Sequence, residues 1–211
     1  MHNYNRAEKI AQILQKENPH PKTELVHSNE MQLCIAVMLS AQTTDKKVNQ
    51  ITPNLFMKYQ RWQDFSSADL GELRTIIRGV NFHKGKAERI IKASNVIIHE
   101  FRGELPRTLD DLIKIPGIAR KSANVILQEL WDITEGIVVD THVTRVSNRL
   151  GLTANTDAVK IENDLMKIIP QKYWRNFSGA VVFHGRYVCK ARKPDCEKCI
   201  LNKLCPGAFK Y

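Results

Sequence analysis

Four of the five cysteines in the chain lie in one short stretch, with the spacing Cys-x6-Cys-x2-Cys-x5-Cys. They are Cys189, Cys196, Cys199 and Cys205. The loops between them are too short for two comfortable disulfides, and thiolates at this spacing are typical of metal ligands. A set of four cysteines suits either a structural zinc ion or an iron–sulfur cluster, and the spacing alone leaves both open.

The middle of the chain carries a second chemical pattern, Ile-Pro-Gly-Ile-Ala-Arg-Lys. Pro116 and Gly117 end one predicted helix and let the backbone turn sharply into another. We expect the amides from Gly117 through Ala119, including that of Ile118, to point outward beside Arg120. Free amides at the positive end of a helix dipole form a site for an anion such as a DNA phosphate. An ordinary corner between two helices is the alternative interpretation.

The chain resembles the helix-hairpin-helix DNA glycosylases, and specifically the endonuclease III family, in three ordered segments: IPGIARKSANVIL, VDTHVTRVSNRLGL and HGRYVCKARKPDCEKCILNKLC. Two upstream segments, MLSAQTTDKKVN and FHKGKAERIIK, extend the resemblance over roughly residues 30–205. The resemblance implies two helical lobes around a DNA-binding cleft. It also implies that the four cysteines hold a 4Fe–4S cluster rather than zinc.

One position of the hairpin departs from the family pattern. The family usually has Pro-Gly-x-Gly at this turn, and the present chain has Ala119 in place of the second glycine. Alanine offers the same amide but adopts a positive φ poorly. We therefore expect a slightly altered hairpin that still binds phosphate.

Lys121 matches the catalytic lysine of the family. It falls in the first turn of the second hairpin helix, where the helix dipole disfavours an ammonium and favours the neutral amine. A neutral lysine can act as a nucleophile and form a Schiff base. Solvated surface lysines are common in a chain this basic, so the assignment depends on position in the motif and not on residue type.

Asp140 lies between the apolar run Ile137–Val139 and a short predicted helix. Aspartate is a favoured N-cap residue, and the pattern Val-Asp-Thr-His alone favours that interpretation. The resemblance implies a catalytic role, in which Asp140 assists Lys121 and stabilises the positive charge that develops on the sugar as the base departs. The two roles are compatible.

The resemblance implies a bifunctional DNA glycosylase and abasic-site lyase of base excision repair. Its substrate would be double-stranded DNA with damaged bases, chiefly oxidised pyrimidines, or with abasic sites. Lys121 would attack C1′ of a flipped nucleotide, and the resulting imine would permit β-elimination 3′ to the lesion. A non-catalytic DNA-binding protein is one alternative, which the presence of both Lys121 and Asp140 disfavours. A mismatch-directed glycosylase is another, and it would favour Tyr or Ser at position 121.

Two further residues match family positions that contact the opened duplex. Gln42 matches a residue that fills the gap left by the flipped nucleotide. Phe82 aligns with an apolar wedge, where leucine is more usual, and such wedges keep a kinked duplex unstacked. A glutamine at a helix end and a phenylalanine in the core are the alternative interpretations.

Three cations lie between the first two cysteines of the cluster motif, at Lys190, Arg192 and Lys193. A short loop pinned by a metal cluster can present such cations to DNA phosphates. Three solvated surface charges are the alternative interpretation.

The composition fits an ordinary globular protein with a polyanionic partner. The 211 residues are 43% hydrophobic and 26% charged, and 32 Lys and Arg against 22 Asp and Glu give a net charge of +10. This surplus favours nucleic acid as the partner. The first residues form no apolar signal region, and no apolar run approaches the length of a membrane span. We expect a cytoplasmic monomer, associated with the nucleoid if the source is bacterial, that does not bind membranes.

Helical periodicity dominates the chain and places these motifs at helix ends. It predicts an amphipathic helix over residues 5–17 that Pro19 and Pro21 stop, and a last helix over about residues 173–188 that leads into the cysteines. The only β-like run, Ile137–Val139, is too short to build a sheet. The predicted fold class is therefore all-α.

The predicted domain organisation is discontinuous. We expect a helical barrel domain over residues 23–133, which ends in the helix-hairpin-helix at about residues 108–131. Residues 1–22 would join residues 134–211 to form an iron–sulfur cluster domain, as the resemblance implies. Lys121 would then belong to the first domain and Asp140 to the second.

Overall fold

All regular structure in the described residues is helical, which confirms the all-α class. The computed structural model describes residues 2–18 and 23–211, and Ile137–Val139 forms no strand. The α-helices, in chain order, are α1 His2–Glu17, α2 Glu30–Ser40, α3 Asp45–Lys58, α4 Trp62–Ser66, α5 Leu70–Ile76, α6 His83–Glu100, α7 Leu109–Leu112, α8 Arg120–Trp131, α9 Thr141–Arg149, α10 Ala158–Ile168 and α11 Trp174–Tyr187.

The chain divides into two compact units, each with its own apolar core. One unit consists of Glu24–Ile133, and the other consists of Met1–Thr23 together with Thr134–Tyr211. Residues 19–22 lie outside the described residues, and with them the predicted stop of α1 at Pro19 and Pro21.

The unit of residues 24–133 is built around α2. This helix has apolar residues on every side, and residues from Leu33 to Leu39 are all buried, because α3, α6 and α8 pack against it. The surrounding helices are amphipathic; in α6, for example, the buried residues Ala87, Ile90 and Ile97 recur at helical spacing. This packing holds in place the C-terminal end of α2 and the N-terminal end of α6. The turns that carry Gln42 and Phe82 adjoin these two ends.

The discontinuous unit is held together by the packing of α1 against α10 and α11, and of α9 against α11. Ile10 and Leu14 of α1 and Phe177 of α11 are almost fully buried in its core. Cys189, Cys199 and Cys205 pack against this core from the C-terminal segment. The N-terminal helix therefore supports the segment that carries the cysteines.

Candidate active site and cluster site

The turn between α7 and α8 is built around one glycine. Gly117 has a φ of +91°, and a Cβ atom added there would lie 2.9 Å from Met38 Cε and 3.2 Å from Arg89 Cβ. Ala119, by contrast, has extended backbone angles, with φ −91° and ψ 166°, and is the N-cap of α8. Ala119 therefore adopts no positive φ in this chain, so the hairpin forms without the backbone conformation that alanine disfavours.

The turn offers two backbone donors to an anion. The amide of Ile118 donates to the carbonyl oxygen of Ile115 at 3.1 Å, so the prediction that it points outward is wrong. The amides of Gly117 and Ala119 have no acceptor among the residues that the structure describes. Arg120 begins α8 beside them and is exposed. Two free amides at a helix N-terminus retain the chemistry of an anion site.

Lys121 is the second residue of α8, and its side chain is exposed. The first turn of α8 contains no acidic residue, and the cap residue Ala119 makes no side-chain hydrogen bond. Lys121 therefore follows the second free amide, that of Ala119, by two residues, and its amine is open to solvent.

Gln42 and Phe82 share an unusual backbone conformation. Both residues are exposed, and both have a left-handed backbone conformation, with φ values of 55° for Gln42 and 56° for Phe82. Phe82 exposes 66% of its surface, so the alternative placement in the core is wrong. A left-handed residue other than glycine costs roughly 1–2 kcal/mol, so the surrounding structure must hold both turns in place.

Gln42 and Phe82 border the same open surface depression, of about 630 Å³. Lys84 and Arg89 also line it and give it positive charge. Arg89 also packs against the hairpin, because its Cβ lies only 3.2 Å from the position of a Cβ added at Gly117. Sequence reasoning gave Arg89 no role, although it stands in the family-like segment FHKGKAERIIK.

Asp140 lies at the start of α9, after three buried apolar residues. Its Oδ1 accepts a hydrogen bond from the amide of Val143 at 2.8 Å, which confirms the N-cap interpretation. Within the described residues, Oδ2 has no hydrogen-bond donor, and the side chain is half-buried. The carboxylate can therefore cap the helix with one oxygen and keep the other for chemistry.

His142, to which the sequence analysis gave no role, links Asp140 to the cysteine segment. Burial lowers the pKa of His142, the Asp140 carboxylate acts in the opposite direction, and Arg145 lowers it further. Arg145 Nη2 lies 3.2 Å from His142 Nδ1 and donates to the carbonyl oxygen of Cys189 at 3.1 Å. The start of α9 and the first cysteine are thus tied by one guanidinium.

The four clustered cysteines line a single small pocket. Burial raises the pKa values of the Cys199 and Cys205 thiols, and the neighbouring cysteines raise both further. In the described residues, no group of three or more His, Cys, Asp or Glu side chains is arranged to hold one metal ion. A cluster of four irons is larger than one ion, and its thiolate ligands stand further apart.

The cavity suits a thiolate-bound cluster by its donors and its walls. Val146, Leu150 and Val188 supply apolar walls. Arg149 Nη1 lies 3.4 Å from Cys189 Sγ and donates to the Lys190 carbonyl oxygen at 2.7 Å. Four thiols can ligate an iron–sulfur cluster, the apolar side chains exclude water from it, and the Arg149 guanidinium balances its negative charge.

The loop between Cys189 and Cys196 places Lys190, Arg192 and Lys193 on the surface, where all three are exposed. Arg149 holds the base of this loop, because it donates to the carbonyl oxygens of Lys190 and, through Nη2 at 3.0 Å, of Ala191.

Comparison with known proteins identifies the family. Residues 35–171 match the HhH-GPD superfamily of base excision DNA repair proteins, and residues 189–205 match the iron–sulfur binding domain of endonuclease III. Endonuclease III of Synechocystis sp. is 46% identical to this chain over 203 residues, which cover 96% of the chain and 93% of the relative. The chain belongs to the endonuclease III family. The Bacillus subtilis member is 44% identical over 188 residues, which cover 89% of the chain and 85% of that relative.

Solved structures of endonuclease III have the same fold. A non-covalent endonuclease III–DNA complex superposes with a TM-score of 0.91 at 40% identity, and covers 98% of this chain and 97% of that one. A trapped covalent endonuclease III–DNA intermediate superposes with a TM-score of 0.92 at the same identity and coverage. Both neighbours are DNA complexes of the family that the sequence predicted.

Membership of the endonuclease III family establishes the activity. The chain is a DNA-binding, bifunctional DNA glycosylase and abasic-site lyase that works through a Schiff base, and it holds a 4Fe–4S cluster. The predicted family, activity and cofactor are confirmed, and the non-catalytic alternative is wrong. No helix of the described residues is long and apolar enough to cross a membrane.

Proposed function

We propose that this chain removes damaged pyrimidines, chiefly oxidised ones, from double-stranded DNA and cuts the abasic strand through Lys121. The observation that carries the proposal is the position of Lys121, which is exposed in the first turn of α8, two residues after the second free amide of the hairpin. A phosphate bound by those amides holds the DNA backbone beside the amine, which replaces a random encounter with a positioned one. The enzyme acts as a cytoplasmic monomer, at the nucleoid if the source is bacterial.

The reaction needs a nucleophile and a group that stabilises the positive charge on the sugar. Lys121 Nζ attacks C1′ of a flipped nucleotide, and the damaged base leaves with the bonding electrons and takes up a proton. Asp140 stabilises the positive charge on the sugar and accepts a proton from the attacking amine, through the carboxylate oxygen that the helix cap leaves open. The amine and the opened sugar form an imine; loss of a 2′ proton then breaks the bond from C3′ to its oxygen and releases the 3′ strand.

Two turns and one loop supply further contacts to the duplex. Gln42 fills the gap that the flipped nucleotide leaves, and Phe82 wedges the opened stack; exposure and strained backbone at both residues support these roles. The cations of the loop after Cys189 bind phosphates; they are Lys190, Arg192 and Lys193.

We assign the 4Fe–4S cluster to Cys189, Cys196, Cys199 and Cys205, which line one cavity. The four thiolates would hold the cluster, and this ligation would fix the loop that presents the cations.

The activity is tested on duplexes that carry a thymine glycol, an abasic site or a G·T mismatch. We expect excision at thymine glycol, cleavage at both thymine glycol and abasic sites, and little action on the mismatch. Borohydride reduces the imine, so the wild type forms a covalent DNA adduct whose attachment point mass spectrometry identifies as Lys121. Lys121→Gln abolishes the adduct and keeps the affinity for abasic DNA, because the hairpin amides remain.

Lys114→Gln is the matched control, since Lys114 is an exposed lysine of the same hairpin that pairs with Asp111. This variant should trap and cleave like the wild type. Normal trapping by Lys121→Gln would mean that another amine is the nucleophile. Preferred excision at the G·T mismatch would reject the assignment to damaged pyrimidines.

A further inference from the structure

A buried lysine lies beneath the turn that carries Gln42. Lys86, in the first turn of α6, exposes only 4% of its surface. Its Nζ donates hydrogen bonds to the carbonyl oxygens of Leu39 and Ala41, both at 2.7 Å, and to Thr43 Oγ1 at 3.1 Å. These acceptors lie on both sides of Gln42 in the chain, so one ammonium holds the whole turn at the end of α2.

The same hydroxyl connects this turn to the one that carries Phe82. Thr43 Oγ1 accepts a hydrogen bond from the amide of Asn81 at 3.1 Å, and Asn81 Nδ2 donates to the carbonyl oxygen of Gln42. Asn81 directly precedes Phe82. The side chains of Lys86, Thr43 and Asn81 therefore form one network that ends at the two left-handed residues of the depression.

The network has an energetic cost, and four of its five hydrogen bonds go to the Gln42 turn. Lys86 has three neutral acceptors and no carboxylate partner in the described residues. Burial and, to a lesser degree, the nearby Arg89 lower the pKa of Lys86 to about 8, so the site disfavours the charge that it holds. An apolar side chain would fill the same space without this penalty. Two of the three hydrogen bonds go to Ala41 and Thr43 of the Gln42 turn, and the third, to the Leu39 carbonyl oxygen, joins α6 to the last turn of α2, where the Gln42 turn begins.

We propose that Lys86 is a positioning residue for lesion recognition, which holds Gln42 in its left-handed conformation and, through Thr43 and Asn81, holds Phe82 beside it. The inference rests on the proposed roles of Gln42 and Phe82 in the opened duplex. Without Lys86, the strained turn relaxes and must be reordered each time a lesion is bound. Binding to damaged DNA then weakens, while binding to undamaged DNA through phosphate contacts does not.

The test compares the affinity of the cluster-containing protein for an abasic duplex and for an undamaged duplex of the same sequence. We expect Lys86→Met to lower the ratio of the two affinities about tenfold, the effect typical of losing hydrogen bonds from one charged group. A 2-aminopurine opposite the abasic site reports whether the gap is filled, and its fluorescence should change in Lys86→Met as it does in Gln42→Ala. In the Gln42→Ala background, Lys86→Met should have a smaller effect than in the wild type, because part of its effect acts through Gln42 and the rest through Phe82.

Lys92→Met is the matched control, because it removes one exposed positive charge from the same helix. It should change both affinities equally. If Lys86→Met does not fold, Thr43→Val removes the shared hydroxyl with a side chain of the same shape and should lower the ratio in the same way.

The outcomes separate the inference from the proposed function. If Gln42→Ala lowers the ratio and neither Lys86→Met nor Thr43→Val does, the inference fails and the proposed role of Gln42 stands. If Gln42→Ala and Phe82→Ala both leave the ratio unchanged, the proposed roles fail and the inference falls with them. Strict additivity of Lys86→Met and Gln42→Ala would also overturn the inference, since it would give Lys86 a separate, structural effect.

Discussion

Asp140 combines a helix cap with a catalytic group, and two substitutions can separate these roles. Asp140→Asn keeps a side-chain oxygen that can accept from the Val143 amide, so we expect the free energy of unfolding to stay within about 0.5 kcal/mol of the wild type. Without the carboxylate, single-turnover excision of thymine glycol should fall by roughly 100-fold or more. Asp140→Ala should lose the same activity and in addition about 1 kcal/mol of stability.

The control is Asp157→Ala in the same unit. Asp157 caps α10 by accepting from the Lys160 amide at 3.0 Å, and it has no proposed catalytic role. This variant should lose about as much stability as Asp140→Ala and keep full activity. Full activity in Asp140→Asn would show that the carboxylate is a cap only.

Lys86 makes stability depend on pH in a direction opposite to that of a paired lysine. Its pKa is about 8 in the folded chain, against 10.5 for an ordinary lysine, because burial and Arg89 disfavour the charge. Between these values the unfolded chain binds more protons, so the free energy of unfolding should rise with pH. The folded chain should gain on the order of 1 kcal/mol per pH unit in this window.

Urea denaturation at pH 7.5 and pH 9 measures the free energy of unfolding at each pH. Subtracting the value of Lys86→Met from that of the wild type removes the contribution of all other titrating groups. The stability of the wild type relative to Lys86→Met should increase at the higher pH. A decrease would mean that the ammonium, not the uncharged amine, is the form that the fold prefers.

At the scale of elements, the hairpin depends on one glycine and tolerates change at its second small residue. Gly117→Ala forces a side chain into a left-handed backbone and against Met38 Cε at 2.9 Å, so it should destabilise the protein by roughly 1–3 kcal/mol. Ala119→Gly should lower stability by only a few tenths of a kcal/mol, since Ala119 needs no positive φ. Chemical denaturation measures both effects, and equal losses would mean that both positions carry the strain.

Sequence patterns placed the ends of these elements more reliably than the contacts around them. Periodicity and caps located α8 and α11, and the apolar run before Asp140 located the start of α9. Patterns could not show that the Ile118 amide is used within the turn, because that depends on how tightly the backbone closes. Nor could they show that Phe82 is exposed or that Lys86 is buried, since both follow from the packing of α6 against α2 and not from residue type.

At the scale of the whole molecule, the two units differ in how they obtain stability. The unit of residues 24–133 has a core of its own around α2, and none of the four clustered cysteines contributes to it. In the discontinuous unit, three of those cysteines pack against the core, and Arg149 and Arg145 tie the cysteine segment to α9. Metal binding is coupled to folding where the ligands hold a segment in place. The cluster should therefore stabilise one unit far more than the other.

Loss of the cluster tests this difference. We expect Cys199→Ser to lose iron together with the visible absorbance of the cluster, and to lose hydrogen-exchange protection in α9 and α11. Protection in α2 and α6 should persist, because their core contains no cluster ligand. Cys34→Ser is the control; Cys34 is buried in the core of the other unit, where burial raises its pKa to about 12, so this variant should keep its iron. Equal loss of protection in all four helices of Cys199→Ser would mean that the two units unfold as one.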